Sequence, residues 1–150
     1  MQPALDQFLT DRIDEIAAEV VGEITTCVPA YTHLRPGEIL SLVRDALAVY
    51  TGALEASAVL AAFRDLGVGE ALAGQDARHF ESALRTGARV LVRRTADAAA
   101  RLYPPTSEFI AVMETAFTAE HAIVGAAVDA HHRAARPEVT RRLYSLLSGT

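Results

Sequence analysis

At 150 residues the chain has the length of a single domain and enough residues to close a core unaided. A net charge of −5 argues against a surface that grips nucleic acid as a whole, because phosphate binding draws on concentrated positive charge; all the basic residues are Arg. Cys27 stands alone, which excludes an intrachain disulfide and suits a reducing cytoplasm. The N-terminus is acidic from Asp6 onward, without the basic start of a signal peptide, and no apolar run approaches the ~20 residues of a membrane span, so a cytoplasmic chain away from membranes is expected.

The first predicted helix begins near Pro3, a residue suited to a first turn. Leu5, Leu9, Ile13, Ile16, Val20, Ile24 and Cys27 recur at steps of three and four, with Asp6, Asp11, Asp14, Glu15, Glu19 and Glu23 on the other side. The pattern predicts one amphipathic helix that stops at Val28-Pro29. A loop from Ala30 to Arg35 leads to Pro36 and a second stripe of Ile39, Val43, Ala46, Leu47, Tyr50 and Leu54. A third helix carries Val59, Leu60, Phe63 and Leu66, and Gly67, Gly69 and Gly74 predict that it is short or kinked toward its end.

Gly74-Gln75-Asp76 reads as a stop followed by a start: Gly74 suits the left-handed position after a helix, and Asp76 suits the next N-cap. The fourth predicted helix runs from Ala77 to Leu102, with Phe80, Leu84, Gly87, Leu91, Ala98 and Leu102 on one side. Pro104-Pro105 breaks it, and Thr106 or Ser107 caps a fifth helix reaching about Ala134. Pro137 opens a short sixth helix with Val139, Leu143, Leu146 and Leu147. No window alternates like a half-buried strand and no fixed-period repeat is present, so the fold class expected is all-α with six helices.

Arg85, Arg89 and Arg93 stand four apart on the fourth helix, a row that drifts about 40° per step around the surface. Glu81 and Asp97 can pair with its members for a few tenths of a kcal/mol each. A charged solvated face is one reading; the other turns Arg85 and Arg89 partly inward to hold a carboxylate. Glu120 is the internal candidate, because Phe109, Met113, Ala116, Glu120, Ile123 and Ala127 fall on one stripe and a buried lone carboxylate needs a partner.

The histidines invite a metal or haem reading. Asp76-x-x-His79 and Asp129-x-x-His132 each place a carboxylate and an imidazole on one helical face, but a di-metal bundle also needs two further Glu residues. No metal and no cofactor are therefore expected, with haem through His79 or His121 the weakest candidate. There is no G-x-S-x-G, and Gly67-Val68-Gly69 lacks the preceding strand of a phosphate cradle, so an enzyme is not expected.

From Leu66 to Leu91 the chain resembles the N-terminal helical domain of actinobacterial PucR-type transcriptional regulators, which are similar in turn to the RsbR-type N-terminal domains of stressosome proteins. The likeness rests on Leu66-Gly67, on the small-residue stretch ending in Gly74, and on the form A-x-R-x-G-x-R given by Ala83, Arg85, Gly87 and Arg89 before Val90-Leu91. Val28-Pro29-Ala30-Tyr31 and the proline-started second helix fit it too. Val92 departs from it, since such helices often carry a large aromatic there. The resemblance implies a globin-like fold without haem, with an antiparallel bundle as the alternative, and a signature of Gly67, Gly74, Ala83 and Gly87. It further implies that residues 1–150 form one regulatory or sensor-type domain, the N-terminal part of a longer regulator whose DNA contact lies in another domain.

Two functions follow from this. The first is a non-enzymatic sensory and dimerisation domain, a homodimer using spare apolar residues such as Val21, Phe117 and Val128. The second is a small-molecule receptor domain with an anionic-ligand pocket near Arg85, Arg89 and Glu120.

Overall fold

The computed structural model describes residues 3–135, which fold into six α-helices with no strand among them. They are α1 (Pro3–Thr10), α2 (Ile13–Cys27), α3 (Pro36–Tyr50), α4 (Leu60–Leu72), α5 (Ala77–Leu102) and α6 (Ser107–Ala134), with single 3-10 turns at Pro29–Tyr31 and Ala56–Ala58. The all-α expectation holds. The helix predicted to start at Pro137 lies outside the described residues.

The first apolar stripe folds as two helices, not one. Arg12 causes the change of course: its guanidinium lies 3.5 Å above the Phe8 ring and donates to the Phe8 carbonyl at 2.8 Å. That bond satisfies a carbonyl freed at the end of α1, as basic side chains near a helix C-terminus do. Leu5 and Leu9 are thereby buried against α3 and α5, while Ile16, Ala17, Val20 and Ile24 continue the core along α2. Asp6, expected on the outer face, instead accepts from the Thr51 hydroxyl at 3.2 Å and ties α1 to the end of α3.

Helix α5 is the central element, and each of the other five α-helices packs against it. Its buried face is broad and made mostly of small residues: Ala83, Thr86, Gly87, Ala88, Ala98 and Ala99 lie among Phe80, Val90 and Leu91. The Thr86 and Thr95 hydroxyls donate back to the Ser82 and Leu91 carbonyls at 2.7 and 2.8 Å, so neither polar group is buried without a partner. Leu102, predicted on the buried side, is 38% exposed at the helix end. The start of α5 is as expected: the Asp76 side chain accepts from the Arg78 amide at 2.8 Å, and Gly74 takes φ +86°.

Helix α4 departs most from expectation. It runs unbroken through Gly67 and Gly69, because Gly67 is where it meets α6. A Cβ there would stand 2.2 Å from the Ala127 carbonyl oxygen and 3.0 Å from the His131 amide nitrogen. Phe63 and Ile123 share one cavity wall, Gly67 meets Ala127, and the Gln75 carbonyl reaches His131, so α4 and α6 run in the same direction. Their contact is the most extensive between any two helices. Among the described helices α6 alone is long and apolar enough to cross a membrane; here Val112, Ala116, Ala119, Ile123 and Ala127 bury one side of it in the core.

Gly67→Ala should lower stability by about 2 kcal/mol, because the added carbon meets backbone that cannot rotate away. Gly69→Ala has open space around it and should raise stability by ~0.5–1 kcal/mol through helix propensity. Denaturant midpoints for the two variants, moving in opposite directions, check both.

Candidate functional site

The arginine row divides by position. Arg85 is exposed and pairs with Glu81 at 3.1 Å, one turn away, and Arg89 is exposed as well. Arg93 and Arg94 make the stronger contacts, across to α2. Glu19 accepts from Arg93 at 2.8 Å and from the Arg94 Nε at 2.5 Å, while the Arg94 Nη2 reaches Glu15 at 2.9 Å. Arg94 thus forks between two carboxylates one turn apart on α2, using a geometry Lys cannot offer. Burial alone would raise the Glu19 carboxyl, but hydrogen bonds from Arg93 and Arg94, with their charges, outweigh it and hold the group below its ordinary value.

Glu120 sits at the edge of the buried stripe on α6, because the inward residue on that turn is Ala119. It is half-buried beside Tyr50 of α3, whose phenol is pushed up first by its own burial and then by the Glu120 charge. Among the described residues no ion pair joins Glu120 to Arg85 or Arg89, and neither the interior cavity nor the surface depression beside Arg85 brings the three together. Arg85 instead borders an open surface depression with Arg78, Glu81, Ser82 and His132. An anion there would meet its partners in water, where such pairs are worth only a few tenths of a kcal/mol to about 1 kcal/mol.

His79, His121 and His132 are exposed, and among the described residues no three His, Cys, Asp or Glu side chains cluster closely enough to hold a metal ion. The histidine built into the structure is His131, which sequence reasoning missed. It is 1% exposed, stacks on Phe80 with ring centres 4.9 Å apart, and meets the Gln75 carbonyl through Nε2 at 3.0 Å. A carbonyl only accepts, so Nε2 carries the proton and Nδ1 is buried without a partner. Steps of four from Ile123 through Ala127 reach 131, which is the signal that places it inward.

The interior holds an apolar cavity of about 120 Å³. Ile24 of α2, Ala46 of α3, Phe63 of α4, Leu84 and Leu91 of α5 and Ile123 of α6 are among its walls. Two groups make it polar at one side: Tyr31, from the 3-10 turn after α2, and Glu70, from the last turn of α4. The Tyr31 hydroxyl is buried, with the Glu70 carboxylate beside it, but closes no hydrogen bond of ordinary geometry. Burial, and after it the nearby Glu70 carboxylate, holds that phenol well above its ordinary value. The sequence marks Tyr31 only as part of the family resemblance, in a predicted loop, and gives no sign of the cavity.

A sequence model of the PucR-like N-terminal domain matches residues 1–147. The chain belongs to that family. No curated protein and no solved structure matches it. In this PucR-like domain the four residues that the resemblance singles out take the following positions. Gly67 admits the α6 backbone, Gly74 ends α4 with a positive φ, Ala83 lines the cavity, and Gly87 lies against Val20 and Ile24 of α2.

The depressed Glu19 carboxyl stabilises the fold above its unfolded value of about 4.3, and that contribution is lost as pH falls through the lower folded value. Glu19→Gln should therefore cost about 1 kcal/mol at pH 7, with the difference from the parent chain shrinking as pH falls below the unfolded value of about 4.3. Urea melts at several pH values measure it. Arg85→Ala and Arg89→Ala should each shift the same melts by less than about 0.5 kcal/mol.

Proposed function

We propose that this chain is the non-enzymatic signal-input domain of a transcriptional regulator and that it acts as a homodimer. Membership of the PucR-like N-terminal domain family over residues 1–147 carries the first part. DNA contact then belongs to another domain of such a regulator.

Helix α6 supports the second part. Ile110 is 58% and Phe117 55% exposed, and a spacing of seven puts both on one face, on the side away from Val112, Ala116 and Ala119. Two large apolar side chains on the outer face of a long core helix suit a two-fold contact in which the same strip meets its copy. Of the three apolar residues expected to be spare, Phe117 is the exposed one; Val21 is buried and Val128 half-buried.

The experiment is sedimentation of the purified chain at about 10–100 μM, expected to give the dimer mass. Phe117→Glu should sediment as a monomer with unchanged helix content, since an exposed substitution moves stability by only about 0.5 kcal/mol. Fused ahead of a DNA-binding module that represses only as a dimer, the parent chain should confer repression and Phe117→Glu should not. A monomeric parent chain at 100 μM removes the self-association part.

A further inference from the structure

The cavity among α2, α3, α4, α5 and α6 combines three properties that close packing alone does not produce. Its walls are almost wholly apolar, so water gains few hydrogen bonds against them although the cavity is open in part to solvent; a closed apolar cavity of about 150 Å³ takes benzene. Its volume of about 120 Å³ is well below the ~300–1,000 Å³ of pockets for drug-sized ligands, which limits an occupant to a handful of atoms. Its polar side holds a buried hydroxyl that closes no hydrogen bond of ordinary geometry; the Glu70 carboxylate beside it can take its proton, which leaves the hydroxyl oxygen free to accept. One water at Tyr31 would satisfy that hydroxyl but leave the apolar volume empty.

We propose that this cavity is a binding site for a compact apolar molecule of about five or six non-hydrogen atoms bearing a single hydrogen-bond-donating head, which meets the Tyr31 hydroxyl and the Glu70 carboxylate. The body of the ligand fills the space between Ile24, Ala46, Phe63, Leu84, Leu91 and Ile123. The head must donate, because a carboxylate only accepts and the Tyr31 oxygen can accept from the ligand while giving its own proton to Glu70. Short-chain alcohols and primary amines share that chemistry, and a carboxylic acid ionised at neutral pH does not. The second phenol in the wall, Tyr50, feels the charge of Glu120, which does not line the cavity, so the pole lies at Tyr31. The exposed arginines lie outside this site, and the ligand class is the reverse of an anion.

The site stands apart from self-association: a monomeric chain that binds would keep it and remove only the dimer. The test titrates the whole chain with 1-pentanol, pentylamine and pentanoate, following its melting temperature and the methyl NMR signals of Ile24, Leu84 and Ile123. Pentanol and pentylamine should raise the melting temperature saturably and shift those methyl signals, whereas pentanoate should do neither. Free alcohols weaken proteins in general, so a rise is diagnostic. Tyr31→Phe keeps the cavity volume but loses the hydroxyl, and should weaken pentanol roughly tenfold, the size of one hydrogen bond. Ala46→Leu fills the cavity and should abolish the methyl shifts while melting at or above the parent temperature. If none of the probes binds saturably, or Ala46→Leu binds as well as the parent, the site is overturned. Equal pentanol binding by Tyr31→Phe, or equal binding of pentanoate, overturns the donor-headed ligand.

Discussion

The backbone contact at Gly67 sets the arrangement of the second half of the molecule. With no side chain there, α4 presses directly onto the Ala127 and His131 backbone of α6, and the two helices run together in the same direction. Helix α4 is held by α6 and touches α5 only narrowly, although α5 packs broadly against α2 and α6. Phe63, Leu66 and Glu70 are thus turned toward a space that α2, α3 and α5 border but do not fill. The same clamp fixes the turn between α4 and α5, where His131 holds the Gln75 carbonyl and Phe80 stacks on its ring. Close approach at Gly67 thus places these α4 side chains along the cavity wall.

Charge is arranged to support this packing from outside. Arg93 and Arg94 reach from α5 to Glu19 and Glu15 on α2, over the seam where Gly87 lies against Val20 and Ile24. These pairs are partly exposed, so each adds about 1 kcal/mol at most. Their larger effect is on register, because a forked Arg94 fits only where both carboxylates are one turn apart. Arg89 and Arg85, one and two turns earlier, have no partner across the seam and remain in solvent among the described residues.

Local chemistry made much of the fold legible in the sequence. Pro29, Pro36, Gly74, Asp76 and Pro104-Pro105 mark helix ends, and apolar periodicity found α3, α5 and α6 with most of their buried faces. The break at Asp11-Arg12 carries neither Pro nor Gly; it depends on Arg12 folding back over Phe8, which periodicity does not see. Gly67 was misread because propensity counts a helical glycine as a cost, whereas its value lies in a partner helix 60 residues further on. The stripe on α6 was placed one residue off at Ala119, and that shift alone turned Glu120 from a buried carboxylate into one at the edge. The Glu19–Arg93 contact joins residues 74 apart, a distance that no local pattern spans. The cavity was the least legible feature of all, since periodicity says which side chains point inward and nothing about whether they meet.

An apolar cavity of about 120 Å³, open in part to solvent, forgoes some of the close packing that holds a domain of ~5–15 kcal/mol stability folded. Larger side chains at Ala46, Ala83 or Ala88 would remove it without touching the Gly67 contact, so the void is not forced by the helix crossing. An occupant that fills it recovers that packing only in the arrangement that has the void, and a ligand shifts a conformational equilibrium by its difference in affinity between two states. Helix α6 supplies Ile123 and Val124 to the cavity wall and also bears Ile110 and Phe117, two to four turns earlier on its outer face. One side of this helix lies on the cavity and the other at the proposed dimer contact, so the two proposed sites share one rigid element.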